Sequence, residues 1–122
     1  MIRAEVFGNV GGDPELKQTK SGEDMVRFTV ASTKKQEGRD PVTSWVTVLA
    51  FKEQASMVAE KVSKGDRVVV TGTLTVEKYE KDGVERTAVT VMADEIGLSL
   101  RWPKRTGEPK RESQPEEAWA GF

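Results

Sequence analysis

Apolar and polar residues alternate along much of this chain with a period of two, the pattern of strands that bury one face and wet the other. In Met25-Val26-Arg27-Phe28-Thr29-Val30-Ala31, the side chains of Val26, Phe28 and Val30 share one side, and Arg27 and Thr29 take the other. Residues 2–7 repeat the pattern with Ile2, Ala4 and Val6, until Gly8-Asn9 and then Gly11-Gly12-Asp13-Pro14 break it. Lys20-Ser21-Gly22-Glu23 reads as the turn into the second strand. A third strand over residues 43–51 sets Val46 and Val48 against Trp45, Thr47, Leu49 and Phe51. The polar stretch from Lys34 to Pro41, between the second and third strands, reads as a mobile loop.

The period then changes. Ala55, Val58, Ala59 and Val62 recur at helical spacing, and Lys64-Gly65-Asp66 supplies a stop, with Gly65 where a left-handed cap residue sits. Residues 67–79 make the longest strand, with Val68, Val70, Leu74 and Val76 on one face and Val69, Thr71, Thr73, Thr75 and Tyr79 on the other. Gly72 in its middle predicts a bend or bulge. Asp82-Gly83 predicts a tight hairpin turn, and a last strand runs from about Arg86 to Ala93.

After Trp102 the composition shifts to Pro, Gly, Lys and Glu, and residues 103–115 hold no aliphatic side chain. The expected organisation is one folded domain over residues 1–102 and a disordered tail over 103–122. Three strands, a helix, two strands and a tail match an all-β fold: the five-stranded Greek-key OB-fold barrel with one helix between strands three and four.

Composition narrows the chemistry. The chain of 122 residues contains neither Cys nor His. Disulfides and thiolate sites are excluded, and the usual zinc ligands and general base are missing, so no metal, no cofactor and no enzymatic activity are expected. The N-terminal residues carry no basic stretch followed by an apolar run, and no apolar segment approaches the roughly 20 residues that span a bilayer. The expected setting is cytoplasmic, away from membranes. With 19 Lys and Arg against 20 Asp and Glu, any affinity for nucleic acid must come from local positive charge and from stacking.

Trp45, Phe51 and Tyr79 all fall on the parity opposite the valine core, where flat rings suit sequence-tolerant stacking of unpaired bases. The alternative for each ring is burial in a subunit interface. Lys17, Lys34, Lys35, Lys52, Lys64 and Lys78 stand in or beside loops and strand edges, where ammonium groups follow a phosphate backbone. Lys78 beside Tyr79 pairs a charge with a ring in sequence. Gly8-Asn9-Val10-Gly11-Gly12 lacks the Gly-Lys-Ser/Thr ending and following helix of a nucleotide-binding loop. The neighbouring carboxylates Glu23/Asp24 and Asp94/Glu95 point to opposite faces of a strand and make no acid–base pair. At the far end, Glu116, Glu117, Trp119 and Phe122 combine acid and aromatic groups on a flexible tether, as a partner-docking peptide does.

These residues also resemble a known family. Val6 through Glu15, with its Gly-Asn-Val run ending in Asp-Pro-Glu, looks like the first-strand signature of bacterial single-stranded DNA-binding proteins. Phe28 to Ser32, Trp45 to Phe51, Lys64 to Val68 and Thr71 to Leu74 resemble the family's later strands, and Asp94 to Arg101 resembles the ending of actinobacterial members. The resemblance implies an OB-fold homotetramer that coats single-stranded DNA in replication, recombination and repair. It implies that Trp45, Phe51 and Tyr79 stack bases, that Lys17, Lys64 and Lys78 contact phosphate, and that the tail tip recruits replication and repair proteins. Departures are present. Gln36 stands about where a further aromatic is common, and Tyr79 replaces a common Trp. The tail is short, with two acids, no Pro before Phe122, and Trp119 added. Such departures suit a paralogue or phage-encoded member. Two other functions remain open on the residues alone: an interaction module with weak DNA binding and, with least support, a small nuclease.

Overall fold

The computed structural model describes residues 1–100. Six strands and one helix follow in the order β1 (Ile2–Val10), β2 (Glu15–Gln18), β3 (Asp24–Gln36), β4 (Arg39–Phe51), α1 (Lys52–Lys61), β5 (Arg67–Lys81) and β6 (Val84–Leu98). Their order in the sheet is β1-β5-β6-β4-β3-β2. A second pairing of β1, with β3 through Asn9↔Ala31 and Val10↔Val30, closes the sheet into a barrel. Five strands therefore form the closed OB-type barrel, and the short β2 is added at the edge of β3. All pairings are antiparallel except β4 with β6, which is parallel over Thr47–Leu49 and Thr90–Met92.

The interior is narrow, and its contents show it. Of fourteen buried hydrophobic residues, eleven are Val, and only Phe28 is aromatic. β-Branched side chains both favour the pleated backbone and fill a thin core. The helix contributes Ala55 and Val58, with Val62 just beyond its end, to the same cluster. The alternation read from the sequence is present: Val26, Phe28, Val30, Val46, Val48, Val68 and Val70 all point inward.

Several boundaries differ from expectation. The stretch Lys34 to Pro41 is not a loop: β3 runs to Gln36, β4 starts at Arg39, and only Glu37-Gly38 turns. This outer hairpin has no buried face, so its polar composition reads as loop, while backbone pairing and a Thr33–Thr43 hydroxyl contact of 2.9 Å hold it extended. β1 does not stop at Gly8-Asn9 but continues to Val10. Gly8 serves closure instead, because a Cβ there would strike the carbonyl oxygen of Ala31 on β3. The four residues of β2, all exposed, carry no apolar alternation and were not foreseen. Helix α1 ends at Lys61 with Val62 already extended, and Gly65 takes its positive φ of 91° in the turn that follows. The last strand is longer than Arg86–Ala93. The turn at Asp82-Gly83, with φ of 55° and 78°, and the register shift between Thr71 and Gly72 are as expected. Thr71 pairs with Glu95 and Gly72 with Ala93, so Asp94 is the additional residue of the bulge. No helix among the described residues is long and apolar enough to cross a membrane.

Candidate nucleic-acid interface

Because the interior admits only Phe28, the other aromatics of the described residues stand outside. Trp45 is 60% exposed, Phe7 47% and Tyr79 46%, while Phe51 is half-buried at the end of β4. Along β4, Trp45, Thr47, Leu49 and Phe51 share the outer face. Directly opposed residues on neighbouring strands lie about 5 Å apart and on the same face, so the register converts this line into cross-strand rows. Trp45 faces Ala31. Thr47 joins Thr29 on one side and Thr90 on the other, and Thr90 faces Thr75, which sets four threonines side by side across β3, β4, β6 and β5. Leu49 joins Arg27 and Met92. Phe51 faces Met25, which in turn faces Lys17 on β2. The outer face thus carries a ring at each end, hydroxyls and aliphatic groups between, and the cations Arg27 and Lys17 along one margin, where Glu15 of β2 directly faces Arg27.

Trp45 has a specific support. The six-membered part of its indole lies against the backbone of Gly11, whose amide donates to the carbonyl of Thr29 at 2.9 Å. The chain therefore backs the far edge of the ring, while the residue as a whole stays 60% exposed.

The remaining cations distribute unevenly. Lys34 and Lys35 lie exposed near the tip of the β3–β4 hairpin. Lys52 begins α1 with φ of 61°, a left-handed value that turns the chain sharply from strand to helix, and its ammonium lies 3.9 Å from Glu23. Lys64 sits in the exposed turn before β5, where its backbone amide donates to Asp13 at 2.8 Å. That bond ties the Asp-Pro-Glu segment to the end of the helix. Lys78 and Tyr79 are consecutive in β5, so they point to opposite faces, and the sequence pairing of this charge with this ring does not hold in space. The cation directly opposite Tyr79, on the same face, is Arg86 of β6. Arg86 and Arg27 were missed by a reading that looked for lysines near loops. Arg27 was legible from strand parity alone, whereas Arg86 needed the hairpin register.

Among the described residues, no three carboxylates gather where they could hold a metal ion. Trp102 and the tail candidates Glu116, Glu117, Trp119 and Phe122 lie outside the described residues.

The comparisons agree with this architecture. The model of the single-strand binding protein family matches residues 1–99. The chain is 41% identical over 104 residues to a single-stranded DNA-binding protein of Paenarthrobacter aurescens, covering 80% of this chain and 61% of the relative. Identity is also 41% over 104 residues with the protein of that name from Mycolicibacterium smegmatis, covering 80% and 63%. The chain therefore spans about six-tenths of the length of these curated relatives. The crystal structure of a small single-stranded DNA-binding protein from Streptomyces coelicolor superposes with a TM-score of 0.72 at 30% identity, over 82% of this chain and 95% of that one. Matched along nearly all of its described length, the chain belongs to the single-strand binding protein family.

Proposed function

We propose that this chain binds single-stranded DNA without regard to base sequence, by laying bases on the exposed rings of its outer face. The observation that carries the reading is the outer face of β4 and its neighbours: Trp45, 60% exposed with its far edge against Gly11, shares that face with a threonine row, Phe51, Arg27 and Lys17. Any base has a π-face, so stacking tolerates every sequence, and the threonine hydroxyls donate to or accept from whatever edge or phosphate oxygen lies across them. Tyr79 with Arg86, and Lys34, Lys35, Lys52 and Lys64 on the β3–β4 hairpin and the helix ends, extend the path and make it salt-dependent, with Lys78 on the opposite face of β5 from Tyr79. The names of the relatives and of the Streptomyces structure support the same ligand.

The test is a fluorescence titration of the full chain carrying Trp102→Phe and Trp119→Phe, so that Trp45 alone reports. Oligo(dT) of increasing length is expected to quench the emission, with affinity falling as salt rises. Neither quenching nor a mobility shift at low salt would sink the reading.

With this activity goes a wider role: a homotetramer that protects single strands during replication, recombination and repair, in the cytoplasm at the nucleoid. We assign residues 103–122 the part of a tether, with Glu116, Glu117, Trp119 and Phe122 docking into an apolar, basic-rimmed pocket on replication or repair proteins. Removing residues 116–122 should leave DNA binding intact and abolish partner capture. Loss of both together would contradict the division of labour.

A further inference from the structure

Gly11 adopts a backbone conformation open to any residue, so a larger side chain there is opposed only by what it would touch. A Cβ at Gly11 would come 2.6 Å from Cζ3 and 3.3 Å from Cη2 of Trp45, and 3.0 Å from Oγ1 of Thr29. Carbon atoms in good contact sit about 3.5–4.0 Å apart. The absence of a side chain therefore lets the indole settle directly on the backbone. That backbone is itself fixed: the Gly11 amide donates to the Thr29 carbonyl at 2.9 Å, and Val10, one residue before, pairs with both Val30 and the turn at Asp66.

Resting on the proposed DNA binding, we propose that Gly11 is a positioning residue for Trp45: it seats the far edge of the indole against the chain and so fixes how the exposed ring is presented to a base. At Gly11 the atoms in the way are mainly the far edge of an exposed ring. When a methyl group is added, the ring yields and the backbone does not. The ring must lift by about 1 Å to regain an ordinary contact. A lifted ring loses its support, gains rotamer freedom, and has to be ordered again each time a base stacks on it. Fold stability is then nearly unchanged while stacking suffers.

The experiment compares the full chain carrying Trp102→Phe and Trp119→Phe with the same chain bearing Gly11→Ala. Thermal unfolding, acrylamide quenching of Trp45 and oligo(dT) affinity are measured on both. Gly11→Ala is expected to leave the melting temperature within a few degrees and to make Trp45 more accessible to acrylamide. DNA affinity should drop about three- to tenfold, a fraction of the roughly 5- to 150-fold that losing a whole base stack costs. The decisive arm adds Gly11→Ala to Trp45→Ala, with binding read by anisotropy of a labelled oligonucleotide. There the glycine substitution should have no further effect, because the ring it acts through is gone. Three results overturn the inference: wild-type affinity and quenching in Gly11→Ala, an equal loss of affinity in the Trp45→Ala background, or loss of the fold, since the ring and not the backbone is claimed to give way. The outcomes stay separable from the proposed function: if the parent chain fails to bind, that function falls, and if the parent binds while Gly11→Ala is normal, only the role of Gly11 falls.

Discussion

Replacing Gln54 by Ala is expected to lower stability by about 1–2 kcal/mol, although the side chain touches no candidate ligand. β6 pairs with β5 along its whole length, but its other edge meets β4 only over Thr90–Met92, because β4 gives way to helix α1 after Phe51. Past that point the bulge at Asp94 leaves backbone groups facing away from β5. Gln54, in the first turn of α1, supplies what a strand would have supplied. Its Oε1 accepts the amide of Ile96 at 2.9 Å, and its Nε2 donates to the carbonyl of Asp94 at 3.3 Å. The second bond is long and exposed and counts for little. The first satisfies an amide in part-buried surroundings. A net neutral bond contributes about 0.5–1.5 kcal/mol, and stranding its partner away from water costs about 1–3 kcal/mol. For a domain of this size each kcal/mol moves the melting temperature by about 4–8 °C, so Gln54→Ala should lower it by roughly 4–15 °C. Thermal unfolding followed by circular dichroism, at one fixed protein concentration so that any self-association weighs equally, measures this. Hydrogen exchange at the Ile96 amide localises it. Gln54→Met keeps the volume and removes both hydrogen bonds, and it should be about as destabilising. Full stability in the Met variant, or unchanged protection of the Ile96 amide in the Ala variant, would refute the claim that the carboxamide caps the bulge.

Trp45→Ala should weaken single-stranded DNA binding by about 1–3 kcal/mol, the worth of one stacked base, with little change in melting temperature because the ring is 60% exposed; oligonucleotide titration beside a thermal melt checks both halves. Gly8→Ala should behave in the opposite way. Its methyl group would meet the carbonyl of Ala31 and Cγ1 of Val30 at the seam where β1 closes on β3, so destabilisation of about 1–3 kcal/mol is expected, visible as a lower denaturant midpoint; a stable Gly8→Ala chain would show that the seam can open without cost. Arg86→Ala should reduce the dependence of log K on log salt by about one phosphate contact, and a larger change from Lys78→Ala than from Arg86→Ala would place the phosphate path on the face away from Tyr79.

The division of the chain into an inner and an outer face was legible, because parity is a local property: Val46 and Val48 alternate with Trp45 and Thr47 within four residues. The same holds for the Asp82-Gly83 turn and for the helix that carries Ala55 and Val58 into the core. Exposed elements were not legible. β2 and the outer half of the β3–β4 hairpin bury no side chains, so no hydrophobic period marks them, and only backbone pairing with an established strand makes them strands. Register was not legible either. The threonine row draws one residue from each of four strands, Arg86 reaches the face of Tyr79 only through the exact pairing of β5 with β6, and the seat of Trp45 on Gly11 joins β4 to the residue just after β1.

What links the legible to the illegible part is the width of the barrel. A core built from valines and small residues has room for one aromatic, Phe28, and every other ring within the described residues must stand at the surface. Exposed rings gathered on one face mark an interaction surface, and here the packing of the interior decides how many there are, while the strand register decides which of them share a face. Closure of this narrow barrel brings β1 against β3 at Gly8, and on the outer face the segment after β1 meets Trp45 and Thr29 at Gly11, so neither glycine can carry a side chain without displacing something. At Gly8 that something is a backbone carbonyl and the consequence is stability. At Gly11 it is an indole ring and the consequence is binding. Two glycines three residues apart in one motif are thereby held to glycine for different physical reasons, and the pair of alanine substitutions separates closure of the barrel from presentation of its stacking surface.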